Sequence, residues 1–105
     1  HLIDAERVFA YRAMRFARGD KNNLPGYDEN QYTPSSIANR RSKESLINEY
    51  TNQRQSSISL FDSFTNDMLI QIGLADNSNM SVRAICFVII GHEIHHCQVI
   101  KERYL

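Results

Sequence analysis

Apolar residues recur at three- and four-residue intervals in three stretches of the chain, with turn-forming residues between them. Residues 2–18 carry Leu2, Ala5, Val8, Phe9, Met14, Phe16 and Ala17, and no Pro or Gly interrupts them before Gly19. That is the pattern of an amphipathic helix with a glycine stop. A second helix is predicted from about Ser42, a good N-cap, to about Phe64. Its apolar stripe is Leu46, Ile47, Tyr50, Ile58, Phe61 and Phe64, with a polar interlude from Asn52 to Ser57. A third runs from near Ser81 to about Tyr104. Its Val82 to Ile90 run includes β-branched residues, but roughly 24 residues broken only by Gly91 favour helix over strand.

The connections are less regular. Gly19-Asp20, Asn22-Asn23, Pro25-Gly26 and Thr33-Pro34-Ser35-Ser36 mark residues 19–41 as a long loop. A crossover of that length often carries function or a lid. Tyr27, Asp28 and Tyr32 either line a pocket there or anchor the loop, and anchoring is the simpler reading. Residues 65–80 read as a short extended or irregular link that breaks at Gly73 and Asp76-Asn77-Ser78-Asn79. Three long helices make an all-α class the expectation. Three is an awkward number, and the crossover fits a four-helix bundle from which one helix is absent.

With 105 residues the chain is one domain at most. Twelve Lys plus Arg balance twelve Asp plus Glu, so the net charge is zero, which argues against a dedicated nucleic-acid partner. Arg12, Arg15 and Arg18 fall together near the first helix C-terminus, where the helix dipole favours them, and read as a solvated face. No apolar run approaches the roughly 18 residues of a membrane span, so no membrane partner is expected. Cys86 and Cys97 are eleven apart on one predicted helix, about 16 Å and beyond disulfide reach. Free thiols fit a reducing cytoplasm, the expected location.

The stretch Gly91-His92-Glu93-Ile94-His95-His96 carries the chemistry. His92 and His96 are four apart, hence roughly 40° apart around a helix and about 6 Å along it. Two imidazoles so placed reach one metal ion from adjacent turns. They continue the stripe of Ile85, Ile89, Val99 and Ile100, so both rings are expected to point inward. A buried imidazole pair is costly unless something satisfies it. Two core histidines bonded to carbonyls or carboxylates would do so; a metal is the favoured reading. His95, about 100° from its neighbour, is expected outside the site. The string also matches H-E-x-x-H, with Glu93 in the place of a metalloprotease general base. Val99 and Glu102 stand where an extended zincin pattern needs Gly and His, and nine residues follow His96. The protease reading is therefore set aside.

His1-Leu2-Ile3-Asp4-Ala5-Glu6-Arg7, Phe16-Ala17-Arg18-Gly19-Asp20, and Ser81-Val82-Arg83 through the histidine motif to Lys101-Glu102-Arg103-Tyr104-Leu105 resemble the DinB-like superfamily. The similarity runs in order along nearly the whole chain and is specific at its ends. Residues 27–80 match in layout alone. The resemblance implies a four-helix bundle with a divalent metal held by one His on its second helix and an H-x-x-x-H pair on its last. Carried over by position, the ligands are His1, His92 and His96. It also implies one helix ahead of His1, so residues 1–105 are expected to be a bundle domain incomplete at the N-terminus. Such a chain leaves an apolar groove uncovered and is expected to be oligomeric or partly unfolded alone. A homodimer is expected of the longer chain.

Three neutral His ligands leave a coordination position free for water or substrate, as in catalytic rather than structural sites. Nitrogen donors suit zinc or nickel, with iron and copper next. The resemblance implies metal-dependent hydrolysis, or transfer chemistry on low-molecular-weight thiols such as bacillithiol and mycothiol. The expected partner is thus a small-molecule substrate or thiol. The competing expectation is a non-enzymatic, metal-stabilised helical binding module of a stress response.

Overall fold

Short polar side chains set the boundaries of the helices. Ser42 Oγ accepts a hydrogen bond from the Ser45 N–H at 3.1 Å, Ser81 Oγ from the Ala84 N–H at 3.1 Å, and Thr65 Oγ1 from the Met68 N–H at 3.2 Å. Each caps a helix whose first amides have no partner within the helix. The computed structural model describes residues 1–105. Its elements are α1 (Leu2–Ala17), β1 (Asn23–Leu24), α2 (Glu29–Ser35), a 3₁₀ turn (Ala38–Arg40), α3 (Lys43–Asp62), α4 (Asn66–Leu69), β2 (Ile72–Ala75), β3 (Ser78–Ser81) and α5 (Val82–Arg103). At the end of α1, Gly19 takes φ +82°. Its N–H bonds the Phe16 carbonyl and the Asp20 N–H bonds the Arg15 carbonyl, both at 3.0 Å. This is a Schellman stop, which needs a residue tolerant of the left-handed region.

The three long helices lie where their apolar periodicity predicts, and the chain is mostly helical. The all-α expectation needs one correction. Residues 72–81 form a hairpin, and β1 adds to it in parallel, pairing Asn23 with Leu74 and Leu24 with Ala75. Asp76 and Asn77 form the two-residue hairpin loop with φ +49° and +62°. Positive φ at both positions matches the right-handed twist of the flanking strands. Asn23 locks the three strands together: its Nδ2 donates to Asn77 Oδ1 at 2.8 Å and its Oδ1 accepts from the Asn77 N–H at 3.2 Å. The link expected to be short and extended or irregular is therefore α4 plus an ordered hairpin of two extended strands.

The long loop is also partly ordered. Asp28 caps α2 by accepting from the Asn30 N–H at 3.0 Å, and the Tyr27 and Tyr32 rings lie 4.9 Å apart between centroids. These contacts order the loop within itself, and Tyr32 also lines a shallow space beside Asp4 of α1. Of the arginines near the end of α1, Arg15 pairs with Asp20 and Tyr11, while Arg12 donates to the Pro25 carbonyl.

α1 is central and packs against both α3 and α5, which meet each other only weakly. The start of α1 lies beside the start of α3, through Arg7 and Glu49, and beside the latter half of α5, through His1 and His92. So α1 and α3 run in the same direction and α5 runs against them. The core occupies the opposite end, where Phe16, Leu24, Phe64, Ala75, Val82 and Ile85 come together beneath the sheet. Phe16, Ile85 and Val82 are the largest fully buried side chains. α3 contributes little to this core. Its only buried residue is Ser57, and Ile47 and Ile58 of its expected stripe are exposed.

Gly73 of β2 lies directly against the Phe16 ring, and a Cβ there would fall among the ring carbons. Neither backbone nor a fully buried ring can yield cheaply. Gly73→Ala is expected to destabilise the fold by about 1–3 kcal/mol or more, measured as a fall in the urea midpoint. A fold-neutral Gly73→Ala would show that the Phe16 packing is wrong.

Candidate metal centre

The first residue of the chain and the latter half of α5 meet at the end of the molecule away from the core. His1 precedes α1, whose antiparallel run against α5 sets it beside the latter half of that helix. The His1 and His92 Nε2 atoms are 3.1 Å apart, and so are those of His92 and His96. One ligand atom from each of the three lies within 4.8 Å of the other two. The rings meet edge to face, with centroids separated by 4.6 to 5.0 Å. No carboxylate or thiol joins the group.

The donor set fits a divalent ion. With metal–nitrogen bonds of about 2.0–2.1 Å, tetrahedral ligands sit about 3.3 Å from one another, close to the two 3.1 Å separations. In the free protein a neutral Nε2 facing another Nε2 is stable only if one carries the proton. When the lone pairs all face inward, only a cation relieves their repulsion.

Burial at the site is partial. His92 and His96 are half-buried rather than fully inward, and His1 is exposed. Val99 is half-buried and Ile100 exposed, so the inward stripe of α5 fades beyond Ile89. The His92 ring packs edge-on to Phe9 at 6.4 Å. Burial, and then the neighbouring His96 and His95, push the His92 pKa below the ordinary imidazole value. His95 is exposed and stands beside His96, outside the group of three.

Next to His92 lies a polar network that the sequence reading did not pick out. Arg54 of α3 grips Glu6 of α1, with Nη2 to Oε1 at 2.7 Å and Nε to both carboxylate oxygens at 3.1 and 3.2 Å. Its Nη1 donates to Glu93 Oε2 of α5 at 3.0 Å, and Ser57 Oγ donates to Glu6 Oε2 at 2.8 Å. Glu6 is 6% exposed, so this carboxylate is held inside the protein. Two signals pointed to it. Glu6 sits on the apolar side of α1 between Leu2, Ala5, Phe9 and Ala13, and Arg54 and Ser57 lie in the polar interlude of α3. Glu93 faces Arg54, an outer contact rather than a place among the three imidazoles.

The family model described as the DinB superfamily matches residues 1–100. The chain belongs to the DinB superfamily. No curated protein and no solved structure matches it. Membership makes this chain a helical protein of a generally metal-binding superfamily. The three clustered histidines, His1, His92 and His96, all lie within the matched residues. No helix is long and apolar enough to cross a membrane, and both cysteines are free.

Two outcomes follow. Arg54→Met strands Glu6 without a counter-charge and should cost about 2–4 kcal/mol, tempered by the partial exposure of the guanidinium; Arg54→Met with Glu6→Gln should recover much of it. Urea unfolding of the single and double variants checks this, and equal losses in both would deny the coupling. The depressed His92 pKa means that the unfolded chain binds more protons as pH falls through the ordinary value, about 6.5. Metal-free protein should therefore lose stability below that pH, until the folded-state value is passed. His92→Gln should flatten this part of the pH profile of the urea midpoint.

Proposed function

We propose that His1, His92 and His96 hold a divalent transition metal, zinc or nickel before iron or copper, and that the protein is a metal-dependent hydrolase or low-molecular-weight-thiol transferase. The observation that supports this best is the convergence of three Nε2 atoms with no carboxylate or thiol beside them. Three neutral donors leave the ion its full charge and an open position. An ion so held lowers the pKa of a water or thiol bound to it and supplies a nucleophile near neutral pH.

The chain's own residues have separable tasks in this reading. Phe9 backs the His92 ring edge-on. Glu93 is engaged by Arg54 and does not serve as the general base of a zincin. A binding module with a structural ion would instead call for a fourth protein ligand, which the cluster lacks. The four-helix arrangement and a homodimer belong to the same proposal. α1, α3 and α5 supply three long helices. Between α3 and α5 runs a groove of about 290 Å³, lined by Ile58, Phe61, Cys86 and Ile90, of the kind another helix fills.

The test is metal uptake. Elemental analysis after dialysis against zinc or nickel should give one ion per chain for the unaltered protein and for His95→Ala. His92→Ala and His96→Ala should retain none, and His1→Ala should bind at least ten times more weakly. Loss of the ion from His95→Ala with retention by His92→Ala would overturn the assignment. A hydrolase or transferase must also lose its turnover on chelation and regain it when the ion is restored.

A further inference from the structure

The three histidines have two sides, and these differ in kind. On the side of His92, the space among Glu6, Phe9, Arg54 and Glu93 amounts to about 10 Å³, room for about one water. On the side of His1 and His96 lies a groove of about 630 Å³. Tyr50 and Leu2 line both spaces and so form the partition. The Tyr50 ring is in turn held by the Arg54 guanidinium, 5.6 Å from its centroid. A molecule of any size therefore reaches the imidazoles through the larger groove.

The walls of that groove are apolar. Ile3 comes from α1, Leu46 and Ile47 from α3, Ile100 from α5, and Ala38 of the 3₁₀ turn closes one edge. No Asp, Glu, Lys or Arg side chain lines it, and its polar groups are the Tyr50 hydroxyl and the two imidazoles. Its volume falls within the range of small-molecule sites, about 300–1,000 Å³. A charged or sugar-like body placed there would lose hydration without gaining partners. An aliphatic or aryl body would be buried at a gain.

We propose that this groove binds the apolar body of the substrate, an uncharged aliphatic or aryl chain whose polar, metal-coordinating head lies at His1 and His96. This rests on the reading of the histidines as ion ligands and narrows it. The group to be cleaved or transferred carries a hydrophobic tail, and a polar thiol, if one takes part, is not the molecule that fills the groove.

Two hydroxamates test it, because they share a metal-binding head and differ in tail length. Cobalt-loaded protein, followed by its visible absorption and by calorimetry, should bind octanohydroxamate at least tenfold more tightly than acetohydroxamate, equivalent to about 1.4 kcal/mol. Ile47 and Ile100 are 54% and 45% exposed, so polar replacements there spare the core. Ile47→Asn and Ile100→Asn should each erode the preference while leaving cobalt uptake and acetohydroxamate binding unchanged. Isoleucine methyl resonances should shift at Ile3, Ile47 and Ile100, and not at Ile85, when octanohydroxamate is added to the metal-free or the diamagnetic zinc-loaded protein. Equal binding of the two probes to the cobalt form, with those methyls unmoved, would overturn the groove and leave the metal reading intact. Methyl shifts without any cobalt uptake would uphold the groove and sink the metal reading. If octanohydroxamate does not bind and Ile47→Asn converts a dimer to monomer in sedimentation, the occupant is a second copy of the chain and the proposal fails.

Discussion

One guanidinium fixes the relation among the three long helices at the level of the histidines. Arg54 of α3 holds a carboxylate from α1 on one edge and a carboxylate from α5 on the other. The geometry is demanding, since a planar fork must meet both acceptors at once. It is also what ties α3 to α5 there. α3 buries only Ser57 and meets α5 weakly, so little apolar packing ties these helices together near the site. Glu6 and Glu93 sit beside residues on which the histidine geometry depends: Glu6 is one turn from the start of α1, and Glu93 follows His92. The clamp thus sets the helix positions from which the three imidazoles converge.

The long helices were legible because each satisfies local and periodic rules together. Ser42 caps the helix it was expected to cap, Ser81 caps the helix expected to begin near it, and Gly19 stops α1. The hairpin was not legible. Ser78-Asn79-Met80-Ser81 has little intrinsic strand preference, and Asp76-Asn77 lacks the glycine that usually marks such a loop. What makes these residues a strand is tertiary: β2 is buried against Phe16 on one face, and Asn23, fifty-odd residues away, bonds the loop. No window of the sequence contains that information.

The candidate site was legible in unequal parts. The i, i+4 spacing of His92 and His96 on the continuation of an apolar stripe was visible as periodicity, and the structure sets their Nε2 atoms together. His1 has no periodic signal of its own; it entered through the family likeness and reaches the pair through the direction of α1. The clamp escaped notice because a charged residue on a helix reads as surface unless its phase is followed. Glu6 occupies an inward position of α1, and its partner is forty-eight residues on. The groove beside His1 and His96 escaped for another reason: its walls come from three helices and a 3₁₀ turn, and exposed isoleucines are read as ordinary surface until they are seen to share a concavity.

The hydrophobic core and the histidines occupy opposite ends of the molecule, and this division has a dynamic consequence. Cooperative opening units follow the distribution of buried apolar contacts. The segment of α5 that contains Val82, Ile85 and Ile89 lies in the core cluster, while the segment from His92 onward has no buried residue. An ion that bridges the start of α1 and the latter half of α5 would bind only the closed form of that end. Its occupancy then adds free energy by mass action to the region that has least of its own. Slow amide exchange would then spread from the core end to the histidine end as the ion concentration rises, so that end would be rigid only while an ion is bound.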